Sequence, residues 1–121
     1  MARTFGERLA AGHVLVLDGA MGTELERLEV ATPLPAWTAS ALISAPAEIL
    51  AIHREYVAAG ADLLTTATFR TTRRALAPAG AGERAQELTA RAVELARDAA
   101  RGAPGGRVVH VLGSMAPLED C

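Results

Sequence analysis

Three short stretches carry side chains suited to gripping a small polar molecule. The first, Asp18-Gly19-Ala20-Met21-Gly22-Thr23, directly follows an apolar run. A carboxylate there can accept hydrogen bonds from an ammonium group, and Gly19 lets a ligand come close to the backbone. Asp18 equally suits a cap for the turn that follows it, and Gly22-Thr23 an ordinary helix start. The second stretch is Thr65-Thr66-Ala67-Thr68-Phe69-Arg70. Strand alternation puts Thr66 and Thr68 on one face and Thr65 on the other. Two inward hydroxyls could hold a carboxylate, although threonine also favours strands with no ligand at all. Arg70 suits an anion or plain solvent, and solvent is the favoured reading. The third stretch opens on Gly113-Ser114 and ends on Glu119-Asp120-Cys121. Its two acids suit proton transfer only if they face each other, and a solvated loop is the favoured reading.

The remaining chemistry-bearing residues form no set. His13, His53 and His110 have no metal-ligand spacing, so packing or surface roles are expected for each. Trp37, the lone tryptophan, lies in a loop before a helix, where it could line a pocket mouth or cover the core edge. "DGAMG" lacks the spacing of a dinucleotide fingerprint, and neither a P-loop nor a GxSxG elbow is present.

The elements that must position these residues are legible from periodicity. Val14 to Leu17, Leu63 to Thr66 and Val108 to Leu112 are dense in aliphatic or β-branched residues and do not alternate cleanly. Strands buried on both faces read this way. Between them, Pro46 to Ala59 places Ile49, Ile52, His53, Tyr56 and Ala59 on one helical face, with Gly60 as its stop. Glu83 to Arg101 repeats Ala85, Leu88, Ala92, Leu95, Ala96 and Ala99 at helical spacing. Shorter helices are expected over Thr4 to Ala11 and Thr71 to Leu76. Helix and strand therefore alternate, which implies parallel strands with helical crossovers. A doubly wound sheet and part of a (β/α)8 barrel both fit. In either, a site lies at the C-terminal ends of the strands, where the three polar stretches fall. The opposite ends, "AAGH" and "APGGR", read as plainer.

Bulk properties narrow the class. The chain has 121 residues, half of them apolar, and a formal net charge of −2, so it reads as globular and gives no reason to expect nucleic acid. No apolar run approaches the roughly 20 residues that cross a bilayer, and no secretory h-region opens the chain. A membrane is not an expected partner, and the cytoplasm is the default location. The one cysteine, Cys121, excludes an internal disulfide. A complete barrel takes about 250 residues, so the chain is expected to be truncated, with open strand edges that favour association or poor solubility.

"VLDGAMGTELERL", then "AWTASALISAPAEILAIHREYVAAGADLLTTATFRTTRRAL", then "VLGSMAPLEDC" together resemble the start of the homocysteine S-methyltransferase family, in order and spacing, over essentially the whole chain. The resemblance implies an α/β fold in which residues 1–121 form about the first three units of a homocysteine-binding (β/α)8 TIM barrel. It implies zinc on three cysteine thiolates, holding the substrate sulfur as a thiolate that attacks a donor methyl group to give methionine. The donor would be S-methylmethionine, S-adenosylmethionine, betaine or methylcobalamin. By position, Asp18 and Gly19 match contacts to the amino-acid end of homocysteine, and Thr66 matches a threonine holding that same end. Trp37 matches a tryptophan near the methyl-donor side of betaine-using relatives. The family's zinc cysteines lie in segments this sequence does not contain, and Cys121 is not one of them. The chain alone is therefore expected to bind no catalytic zinc and to have little or no methyltransferase activity. The alternative is a non-catalytic amino-acid-binding or structural fragment without metal.

Overall fold

The computed structural model describes residues 3–117. Thr4 and Glu7 start the first helix, α1 (Phe5–Ala10), through a capping box: Thr4 Oγ1 accepts from the Glu7 N–H, and Glu7 Oε1 accepts from the Thr4 N–H. Two helices follow the Asp18 turn, α2 (Gly22–Arg27) and α3 (Thr38–Ser44). Next comes α4 (Pro46–Ala59), with proline in its first turn. It stops at Gly60, whose φ of 111° is one that side-chain-bearing residues rarely adopt. Strand β1 (Leu63–Thr65) leads into α5 (Arg73–Leu76), which is capped by the Thr72 hydroxyl. The long helix α6 (Ala85–Arg101) then leads to β2 (His110–Leu112).

β1 and β2 pair in parallel, with Leu63 opposite His110, Leu64 opposite Val111 and Thr65 opposite Leu112. On the other side of β1, Leu17 makes one parallel bridge to Leu63. The Val16 carbonyl accepts from the N–H groups of Asp62 and Leu63, and the Asp18 N–H donates to the Leu63 carbonyl. Three chain segments thus run parallel in sequence order, with helices crossing between them. α4 and α6 pack on each other and on β1. They contribute Ile49, Ile52, His53 and Val57 from one helix and Leu88, Ala92, Ala96 and Ala99 from the other. No helix among the described residues is long and apolar enough to cross a membrane.

The first apolar run departs from its expected state. Val14 to Leu17 forms a single bridge rather than a strand, and Val14 is 91% exposed and Leu17 56%. This run has β1 on one side only, and an edge segment is buried only as far as its neighbours cover it. Helix ends also moved inward. Thr4 and Thr72 cap their helices rather than join them. Gly82–Arg84 forms a 3-10 turn ahead of α6, and Ala59 is exposed.

Candidate functional site

The three polar stretches lie where the parallel segments end and form two groups, Asp18 with Thr65, and Thr66 and Thr68 with Ser114. Asp18 follows Leu17, and its carboxylate reaches across to the last residue of β1. Thr65 donates to it twice, from the backbone N–H to Oδ2 and from Oγ1 to Oδ1, each at 2.9 Å. The acid is therefore tied to the neighbouring strand rather than spent on its own turn. Each carboxylate oxygen keeps a further lone pair for a ligand.

Thr66 and Thr68 share the other face, as alternation requires, and both are buried. Their hydroxyl oxygens are 2.8 Å apart. Thr68 donates to the Ser114 carbonyl at 2.6 Å, and the Ser114 N–H approaches both hydroxyl oxygens at 3.2 Å. A hydroxyl has one proton. With the Thr68 proton on Ser114, the Thr66 proton lies on Thr68. Thr66 as placed offers a ligand an acceptor. Donation to a carboxylate requires the hydroxyl chain to reverse and release the Ser114 carbonyl.

Gly19 is constrained by protein. A Cβ there would lie 2.8 Å from Tyr56 Oη and 3.1 Å from the ring. Tyr56, on α4, donates its hydroxyl to the Ala20 carbonyl at 2.7 Å and so clamps the turn after Asp18. Burial raises the Tyr56 pKa, and the charges of Glu24, Asp18 and Glu55 push it the same way. One turn earlier on α4, His53 is fully buried, and neither ring nitrogen has a hydrogen-bond partner. Burial pushes its pKa below the ordinary imidazole value, while the Asp18 charge pulls it partly back. The packing role expected of His53 is what the structure gives it.

Trp37 and Phe69 lie face to face, with ring centroids 6.3 Å apart and planes 7° from parallel. The Arg70 guanidinium stands 4.6 Å from the Trp37 centroid and 5.4 Å from that of Phe69. The expectation that Arg70 is merely solvated is corrected: its weakly hydrated cation finds two ring faces on the adjoining loop. Trp37 is 39% exposed and has backbone angles of φ 48° and ψ −126°, in a sparsely populated region for a residue with a side chain.

The opposite ends of the strands are not plain. Asp62, just before β1, accepts from the Val16 N–H at 2.9 Å and pairs with Arg8 at 3.4 Å and Arg107 at 3.9 Å. Arg107 also donates to the carbonyls of Val57 and Ala61. The Val16 N–H, then Arg8 and Arg107, hold the Asp62 carboxyl below its ordinary value. This cluster ties the starts of all three parallel segments together. Its one sequence signal is a charged residue directly ahead of each of two apolar runs.

His110 packs against Phe5 with centroids 5.8 Å apart and planes tilted by 58°, and His13 Nε2 lies 3.3 Å from the Arg3 guanidinium. Among the described residues, no three His, Cys, Asp or Glu side chains converge as a metal site would need. Glu119, Asp120 and Cys121 lie outside the described residues.

A sequence profile described as homocysteine S-methyltransferase matches residues 15–121. The chain belongs to the homocysteine S-methyltransferase family. It is 37% identical over 91 residues to homocysteine S-methyltransferase 2 of Zea mays, covering 74% of this chain and 27% of that protein. It is also 37% identical over 90 residues to a selenocysteine methyltransferase of Astragalus bisulcatus, with the same two shares. The homocysteine S-methyltransferase of Escherichia coli (strain K12) is 35% identical over 109 residues, 86% of this chain and 35% of that protein. The chain thus spans about a quarter to a third of the length of these relatives. The metallated crystal form of the Escherichia coli homocysteine methyltransferase MmuM superposes with a TM-score of 0.78 at 33% identity, over 91% of this chain and 40% of that one. This family member therefore shares an α/β architecture with parallel strands with a solved homocysteine methyltransferase.

Proposed function

We propose that residues 1–121 form about the first three units of a (β/α)8 barrel and supply the part of a cytoplasmic homocysteine S-methyltransferase that grips the amino-acid end of its substrate. The whole enzyme would move a methyl group from a donor to the homocysteine thiolate, giving methionine. One observation carries this reading: the Asp18 carboxylate with Thr65, and the hydroxyls of Thr66 and Thr68 with Ser114, lie at the C-terminal ends of neighbouring parallel segments in a member of this family. Asp18 would accept from the substrate ammonium with its remaining lone pairs. Gly19, clamped by Tyr56, would keep the backbone beside it in place. Thr66 would meet the same end of the substrate through its hydroxyl chain, and Trp37 would face the donor.

Family likeness brings zinc with it, and this chain's residues do not fit a thiolate zinc site. The sequence holds one cysteine, while a tetrahedral structural or catalytic site takes at least three protein ligands. The ligands would come from polypeptide beyond this sequence. The groups named above read an amino acid rather than its sulfur, so they suit a selenol acceptor as well, in keeping with the selenocysteine methyltransferase relative.

An amide NMR titration of the chain with L-homocysteine tests this. Saturable shifts at Asp18, Gly19 and Thr66 that vanish in Asp18→Asn support the reading. Shifts scattered elsewhere, or none at any accessible concentration, refute it.

A further inference from the structure

The Trp37, Phe69 and Arg70 stack joins two loops. Trp37 comes from the segment ahead of α3, and Phe69 and Arg70 come from the segment after β1. The ring quadrupole of tryptophan attracts any weakly hydrated cation, whether a guanidinium or a methylated sulfonium or ammonium. A ring face seats one such cation at a time. At 4.6 Å from the centroid, the Arg70 guanidinium already occupies that seat, and the parallel Phe69 ring lies beside it. The backbone at Trp37 is in a sparsely populated region, a conformation that persists only where surrounding contacts hold it.

We propose that Arg70 is a specificity-determining residue: it fills the cation seat on one face of Trp37 and so bars small methylated cations from that face. Its bearing on donor choice rests on the reading of Trp37 as a donor-side residue, whereas the exclusion itself is a property of the ring face. A donor presenting its methylated onium group to Trp37 would have to displace Arg70 first. A donor whose cationic centre lies away from Trp37 meets no such barrier.

Trp37 is the only tryptophan in the sequence, so fluorescence excited at the red edge of the indole band, where Tyr56 does not absorb, reports this ring alone. The purified chain is titrated with trimethylsulfonium chloride and with tetramethylammonium chloride, against sodium chloride at equal ionic strength. The native chain should follow the sodium control. Arg70→Ala should give a saturable change, with apparent affinity at least about fivefold tighter than in the native chain. Arg70→Met, which keeps an unbranched stem while removing the charge, should respond likewise, and Arg70→Lys should remain closed. Circular dichroism identifies which variants are folded. A saturable onium response in the native chain equal to that of the variants overturns the proposal, as does silence in a folded Ala or Met variant. Neither result bears on homocysteine binding, which the Asp18 titration reads separately.

Discussion

Thr65 holds both oxygens of the Asp18 carboxylate, one through its backbone N–H and one through its hydroxyl, each at 2.9 Å. Hydrogen bonds to a charged acceptor are stronger than neutral ones. Thr65→Val keeps the shape and removes the hydroxyl donor. It should destabilise the chain by about 1–2 kcal/mol, at the low end for a charged pair because both residues are half-exposed. It should also weaken homocysteine binding, whereas Thr65→Ser should preserve both. Urea unfolding and the NMR titration measure the two effects. Equal behaviour of the Val and Ser variants would remove this bond from the account.

Gly19 and Tyr56 form a second coupled pair. Gly19→Ala places a methyl group 2.8 Å from Tyr56 Oη, so the ring must move and lose its bond to the Ala20 carbonyl. A cost of about 1–3 kcal/mol is expected. Tyr56→Phe deletes the clashing atom, so the double variant should cost less than the sum of the single ones. Strict additivity in thermal unfolding would show that the ring does not constrain Gly19.

His53 sets a pH dependence. Its folded pKa lies below the ordinary 6.5 because the ring is buried, with Asp18 opposing. As pH falls, the unfolded chain takes up the proton first, so stability rises with pH in this window. The contribution is fully present above about pH 6.5 and is lost as pH falls toward the folded pKa, at up to about 1.4 kcal/mol per pH unit. His110, also held low by burial and by Arg8, adds to the same slope. His53→Met should flatten the dependence between about pH 7 and about pH 5 and leave the His110 share. An unchanged slope in urea unfolding across that range would count against burial as the cause.

Asp62 should act as the tie at the other ends of the strands. Asp62→Asn loses the charge that pairs Arg8 and Arg107 at Oδ1, and its single remaining oxygen cannot serve both those arginines and the Val16 N–H that Oδ2 accepts. Amide exchange at Val16 and Asp18 should quicken, with a loss of about 1–3 kcal/mol in stability. Since the Asp62 pKa is lowered, the native contribution is present above the ordinary carboxylate range and is lost as pH falls through the folded value. Unchanged exchange at Val16 in the Asn variant would assign the edge segment to other contacts.

Elements written into local sequence were read correctly. The stop at Gly60 and most of the buried faces of α4 and α6 follow from local signals and spacings of three and four residues, whereas Thr4 caps α1 instead of joining it. The second and third apolar runs form paired parallel strands, and alternation placed Thr66 beside Thr68. The first run was misread, because its composition matches a buried strand while its burial depends on neighbours that the described residues do not supply. Arg70 was misread because an arginine beside a loop looks solvated until a ring from another loop is laid under it. Asp62 was overlooked because its partners Arg8 and Arg107 are remote in sequence.

The sequence by itself determined the helices α4 and α6 and the strands β1 and β2, that the polar stretches fall at the ends of the apolar runs, and which family the residues resemble. All of these rest on contacts between near neighbours or on ordered motifs. Tertiary structure alone decided that Asp18 is held by Thr65 rather than by its own turn, and that Gly19 makes room for Tyr56. It also decided that the Thr66 proton is committed to Thr68, and that the Trp37 face already carries a cation. Alternation assigns a side chain to a face but does not say which residue 47 positions away will meet it there. That pairing is fixed by the parallel register of Leu17 with Leu63 and of β1 with β2, which exists only once the crossover helices have closed.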